Sequence, residues 1–336
     1  MVAFFSIIVF SLVGNRRIMK KIIIGIHGLG NKPPEDLLER WWKQAIFDGL
    51  NDCNLQVQDF DFDLVYWADV LHSQPLDPEE QNKKNRFYLP GKYISEHYPV
   101  SYGPMNIGKK AIEYLGERYE KIWMEGILPL NKPSLTGFFV HFHFRDMETY
   151  YAPELINYKG EKRPAKDCIT GQFFQKLQKY RDRDILLIAH SMGSNIAFDT
   201  LMDYPTELKI DTFVTVGSPL GQKYFINKIL ETQKDNTGYE LRVPGNITKN
   251  WYNLSDTGDQ VVQNHGLEEI YAESSRKVKV TDKQVHNYYS NSGTNNPHNS
   301  FGYLRTPEMA EIIYSFLSYH KPGLFTRIWK KMKKAE

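Results

Sequence analysis

The segment from Asp184 to Ser194 constrains this chain most. Asp184 to Ala189 (DILLIA) is a short, almost wholly apolar run of the kind that forms a buried strand. His190-Ser191-Met192-Gly193-Ser194 follows at once, and residues 195–202 carry Ile196, Ala197, Thr200 and Leu201 at helical spacing. A strand that passes into a helix within a few residues needs a sharp turn. Small residues are required two before and two after the residue at its apex, where backbones crowd together. Ala189 and Gly193 meet that requirement around Ser191. A side chain at such an apex is held in strained backbone and points away from the sheet. The following helix directs its positive end at the same spot. Ser191 is therefore the candidate nucleophile. His190 reads as a packing histidine, because adjacent residues in such a turn point in different directions.

The rest of the chain supplies elements that fit around this turn. Residues 21–26 (KIIIGI) read as a buried strand ending in the glycine loop His27-Gly28-Leu29-Gly30-Asn31. Residues 35–47 show Leu38, Trp41, Trp42, Ala45 and Ile46 on one helical face. Strands are expected at 60–69, 138–144, 211–216 and 248–254. Helices are expected at 107–124, 170–181 and 307–319. Strands alternating with helices imply an α/β fold, with a mostly parallel sheet covered by helices on both faces. Residues 70–135 are broken by Pro75, Pro78, Pro90, Pro99 and Pro104, and read as a cap inserted into one domain spanning 19–322.

Three further positions complete the candidate chemistry. An oxyanion needs two backbone N–H donors. Met192, directly after the serine, is one. Leu29 in the glycine loop is the other, with Gly28 as its alternative. An acid is offered by Asn253-Leu254-Ser255-Asp256-Thr257-Gly258-Asp259, where both Asp256 and Asp259 follow a strand. A base is expected in the loop ahead of the last helix. His298 lies there, and His286 is the alternative.

HGLGN, AHSMGS, TVGSPLG, WYNLSDTGDQVV and HNSF ahead of a helix together resemble the lipase and serine-esterase branch of the α/β-hydrolase superfamily, over roughly residues 20–55 and 138–320. The resemblance implies a triad of Ser191, Asp259 and His298, ester hydrolysis through an acyl-enzyme, and no cofactor. A thioesterase, amidase or acyltransferase would use the same residues, and a non-catalytic binding protein could share the fold.

Composition narrows the partners. A net charge of +2 over 336 residues gives no reason to expect nucleic acid. Aromatics make up 14% of the chain, and an apolar, aromatic-rich insertion at 70–135 would make a greasy pocket or lid, which favours a hydrophobic or lipid ester as substrate. Only Cys53 and Cys168 are present, which fits a reducing, cytoplasmic setting. His141 and His143 alternate on one strand face without a third ligand nearby, so no metal is expected. Residues 1–18 form an apolar extension too short to span a bilayer; Met19 offers a second start, and a weak anchor and a cleaved signal are the other readings. Residues 323–336 are basic and amphipathic. Their plain reading is a solvated tail docked on the domain, and the functional one is peripheral contact with an anionic membrane. The sequence sets no oligomeric state.

Overall fold

The computed structural model describes residues 21–95, 145–205, 207–233, 241–259, 261–262, 266–291 and 294–318. Its frame is a six-stranded sheet in the order β2-β1-β5-β6-β7-β8. The strands are β1 (Lys21–Ile26), β2 (Phe62–Val65), β5 (Asp184–His190), β6 (Ile210–Val216), β7 (Ile247–Asp256) and β8 (Val280–Val285). Every neighbouring pair is parallel. Two short strands, β3 (Leu155–Tyr158) and β4 (Glu161–Pro164), form a separate antiparallel hairpin.

Helices cover both faces, which explains why β1 and β5 are nearly continuous apolar runs rather than alternating. Ile22, Ile24 and Ile26 of β1 join Leu187 and Phe213 in one core. That core is completed by 145–151 (α3), α4 (Ala165–Lys179) and α5 (Met192–Asp203). Ile23, Leu186, Ile188 and Val214 face the other way. There they meet α1 (Glu35–Asp52), α7 (Ser300–Arg305) and α8 (Pro307–Ser318). The remaining helices are α2 (Ala68–Leu71) and α6 (Lys223–Gln233). A buried Arg305–Asp52 ion pair at 2.6 Å ties α7 to the end of α1.

Most expected elements are present within a few residues of their sequence bounds. The strand expected at 60–69 is shorter, ending at Val65, and residues 68–71 are a helical turn. The apolar and aromatic run continues past Val65 because Tyr66, Trp67 and Ala68 are buried by tertiary contacts, not because the strand goes on. The hairpin, α6, β8 and α7 were not anticipated; the charged stretches in β4 and β8 have no core-facing alternation to reveal them. Of the expected insertion, residues 72–95 form a loop with an isolated bridge between Asp77 and Tyr88. The expected helix 107–124, the strand 138–144 with His141 and His143, the extension 1–18 and the tail 323–336 lie outside the described residues. No helix among the described residues is long and apolar enough to cross a membrane.

Candidate active site

A parallel sheet collects the C-terminal ends of its strands along one edge, and every candidate residue comes from a segment leaving that edge. β5 ends at His190, and Ser191 follows with φ 54° and ψ −131°, a conformation that side-chain-bearing residues rarely adopt. The Ser191 N–H still donates to Val216 O of β6 at 3.0 Å, while Ser194 N–H already donates to Ser191 O at 2.8 Å. The chain thus changes from sheet to helix at this one residue. A methyl group on Gly193 would lie 2.7 Å from His27 O and 2.8 Å from Ile26 O. The crowding that demands glycine here comes from neighbouring β1, not from the serine's own strand.

Asp259 stands in the turn after β7, and His298 in the loop ahead of α7. His298 Nε2 lies 3.0 Å from Ser191 Oγ. Its Nδ1 lies 2.8 and 3.0 Å from the two oxygens of Asp259. A carboxylate can only accept, so Nδ1 carries the proton and Nε2 is free to accept the serine O–H. The Asp259 carboxylate is fully enclosed and also accepts from Tyr303 OH at 2.7 Å and Val261 N–H at 2.9 Å. Burial, then the neighbouring Asp259 charge, push the Tyr303 phenol well above its ordinary pKa, so it stays a donor. Asp256 faces elsewhere. It accepts from Gly258 N–H and Asn287 N–H, both at 2.6 Å. The alternative histidine, His286, lies 3.7 Å from Asp256 and stacks on Tyr288.

Gly217, at the end of β6, adopts φ +54°. A methyl group there would lie 3.0 Å from Asp259 Oδ2 and 3.1 Å from His298 Nδ1. Gly217→Ala is expected to lower kcat by about 10- to 100-fold, since a misplacement of ~1 Å is enough for such losses. It should also cost on the order of 1–2 kcal/mol of stability through the unfavourable φ. Steady-state kinetics and a thermal melt check this, and a variant with parental kcat would refute it.

On the opposite side, the glycine loop is fastened tightly. The Gly28 α-carbon faces Ser191, where an added methyl would approach Ser191 Cβ to 2.7 Å. His27 is buried and stacked on Trp67. Its Nε2 accepts from Trp67 N–H at 3.1 Å, so its Nδ1 carries the proton and donates to Gly28 O at 2.8 Å. Burial, helped by the nearby Lys32 charge, holds this imidazole well below its usual pKa and therefore neutral. In a planar trans peptide the N–H opposes the C=O. Fixing Gly28 O therefore fixes the direction of the Leu29 N–H. Asp146 of α3 accepts from Gly30 N–H at 3.0 Å and pairs with His72 at 2.9 Å. Met192, as the first residue of α5, has an amide with no partner within its own helix.

Lys32 completes this loop. Its ammonium donates to Leu29 O, and to Gly30 O at 3.1 Å. Burial pushes its pKa from 10.5 down to about 8, against the pull of the Asp146 carboxylate. Between those values the unfolded chain holds a proton that the folded chain lacks. Stability from this group therefore rises with pH across that window. Relative to Lys32→Met, which cannot titrate there, the parent should gain up to about 3 kcal/mol between pH ~8 and ~10.5. Denaturant unfolding of both proteins across that range checks it. Parallel curves would show that Lys32 is solvated.

Of the residues expected from sequence, Ser191, His298 and Asp259 lie in one hydrogen-bonded chain, and Gly28 lies beside the serine. His190 is set apart from that chain, as expected for a packing residue, but it holds His298 O at 2.8 Å. Tyr303, Asn287, Lys32 and Asp146 were not singled out. Tyr303 stands five residues after His298, two beyond the HNSF motif; the others carry no local signal.

A parallel sheet with helices on both faces, a strained serine at a strand-to-helix turn and a buried Asp–His pair beside it define an α/β-hydrolase domain. Within it, residues 171–231 match the lecithin:cholesterol acyltransferase family, which belongs to the lipase-like part of that superfamily. The matched stretch runs from within α4 into α6 and contains Ser191 and Gly217. No curated protein matches the chain.

Proposed function

We propose that this chain is a serine hydrolase that cleaves carboxylic esters of hydrophobic or lipid-like character, with Ser191, His298 and Asp259 as its triad. The observation that carries this reading is the relay of 3.0 Å from Ser191 Oγ to His298 Nε2 and 2.8 Å from His298 Nδ1 to Asp259. His298 Nε2 takes the Ser191 proton as Oγ bonds to the ester carbonyl carbon, and the carbonyl π electrons move onto oxygen. The Leu29 and Met192 amides, with Gly28 N–H as the alternative to Leu29, hold that oxyanion. Collapse of the tetrahedral species breaks the C–O bond, and His298 passes its proton to the departing alkoxide. Water, deprotonated by the same imidazole, then releases the acid and restores Ser191. Asp259 keeps the imidazole in the required tautomer and supports its positive charge. Apart from the ester and the water, each step draws on groups of this chain.

The lipid-like substrate is supported by the aromatic-rich composition and by the partial match to a family whose name describes acyl transfer between two lipids. That name also favours a second reading, in which an alcohol rather than water accepts the acyl group. One experiment covers both. A fluorophosphonate probe should label Ser191, and p-nitrophenyl esters should be turned over with a preference for longer acyl chains. Product analysis with a long-chain alcohol present separates transfer from hydrolysis. Absence of labelling and turnover in the folded protein would refute the proposal.

A further inference from the structure

The loop that carries His298 has three consecutive backbone carbonyls, and a side chain from elsewhere binds each one. Asn287 Nδ2 donates to Pro297 O at 2.9 Å and to Asn299 O at 2.8 Å. His190 Nε2 meets His298 O between them at 2.8 Å. A carbonyl can only accept, so His190 carries its proton on Nε2. We infer that Asn287 and His190 are positioning residues that lock the His298 loop in register with Ser191. The inference rests on the proposed role of His298 as base.

The two side chains reach the loop from two elements, His190 from the end of β5 and Asn287 from the segment after β8. His190 is the covalent neighbour of Ser191, so its bond to His298 O ties the backbone of the nucleophile to that of the base. Burial, then repulsion from His298, holds the His190 imidazole well below its usual pKa, which keeps it neutral beside that base. Asn287 is buried after β8 and is itself pinned. Its N–H donates to Asp256 Oδ2 at 2.6 Å, and its Oδ1 accepts from Tyr289 N–H at 3.2 Å. Asp256 N–H in turn donates to Tyr303 OH at 3.0 Å, and Tyr303 OH reaches Asp259 at 2.7 Å. Both the acid and the base are thus braced through one connected set of bonds. The His298 ring is about a quarter exposed, so it depends on its backbone for position more than the enclosed Asp259 does.

The test measures kcat and KM on a short, soluble p-nitrophenyl ester, with a thermal melt for each variant. Asn287→Ala and His190→Leu should each lower kcat by about 10- to 100-fold with KM within roughly twofold, since the loss is of alignment and not of substrate contact. His190→Gln should recover most of the rate, because its Nε2 reaches the same carbonyl. In a His298→Ala background, neither change should cost anything further. If Asn287→Ala fails to fold, the His190 pair and its combination with His298→Ala decide the matter. Parental kcat in folded Asn287→Ala or in His190→Leu would overturn the inference. So would Gln no better than Leu, or equal losses with and without His298. Parental kcat in His298→Ala itself would instead refute the triad, and this inference with it.

Discussion

Ser191→Ala should abolish ester hydrolysis and fluorophosphonate labelling while leaving a folded protein. The Oγ lies 3.0 Å from the His298 Nε2 and at the positive end of a helix, the two conditions a serine nucleophile needs. The loss in kcat is expected at about 10⁶-fold, the scale found when a serine nucleophile is removed from a comparable relay. A residual ~10³-fold acceleration over water would come from binding and oxyanion donors alone. Stability should hardly change. Alanine keeps the same strained φ of 54° that serine tolerates, and a single partly exposed hydrogen bond contributes about 1 kcal/mol. A cooperative melt within about 3 °C of the parent is expected. Undiminished labelling of a folded Ser191→Ala protein would remove Ser191 from the mechanism. The parallel His298→Ala protein should stop labelling almost as completely.

The second large effect separates two carboxylates three positions apart. Asp259→Asn keeps the shape but replaces one accepting oxygen by a donating NH₂ group. The imidazole then loses its reason to hold the proton on Nδ1, and in the other tautomer Nε2 cannot accept from Ser191. A fall in kcat of up to ~10⁴-fold follows in a serine protease, and a loss of that order is expected here. Asp256→Asn should behave differently. Its carboxylate holds Gly258 N–H and Asn287 N–H, so the change sets an NH₂ donor against one of two amide donors. That should cost on the order of 1–3 kcal/mol of stability. The rate should fall only by about 10-fold, because Asn287 still reaches both carbonyls beside His298. Kinetics and melting of the two variants side by side test the assignment. A larger rate loss from Asp256→Asn would move the acid to Asp256.

Much of the frame was readable in the sequence because it is written in local patterns. β1 and β5 are nearly continuous apolar runs that only a two-sided core can bury, while β6 and β7 mix apolar and β-branched or aromatic residues with polar ones. The turn at Ser191 announces itself through a small residue on each side. The expected strand at 60–69 and the observed one at Phe62–Val65 differ because burial, not strand pairing, keeps the residues after Val65 apolar. Tyr66 and Trp67 are enclosed by tertiary contacts, including the stack of Trp67 on His27, with no ladder running through them. β8 went unseen for the opposite reason, since its central residues Thr281 to Gln284 are polar and lie at the edge of the sheet.

The sequence by itself determined the order of the main core elements, from β1, α1 and β2 through α4, β5, α5, β6 and β7 to α8, together with the serine at a turn too tight for large neighbours and a short list of acids and bases downstream. These depend on residues within a dozen positions of one another, where periodicity and sterics act directly. Only the tertiary structure decided which carboxylate lies against His298, and that Asn287, His190, Lys32 and Gly217 surround the site. Ser191 and His298 are 107 positions apart, and Asp256 and Asn287 are 31 apart. No local pattern encodes such pairings. They exist because a parallel sheet brings the ends of β1, β5, β6, β7 and β8 to one edge, and the register between strands sets which side chains meet there.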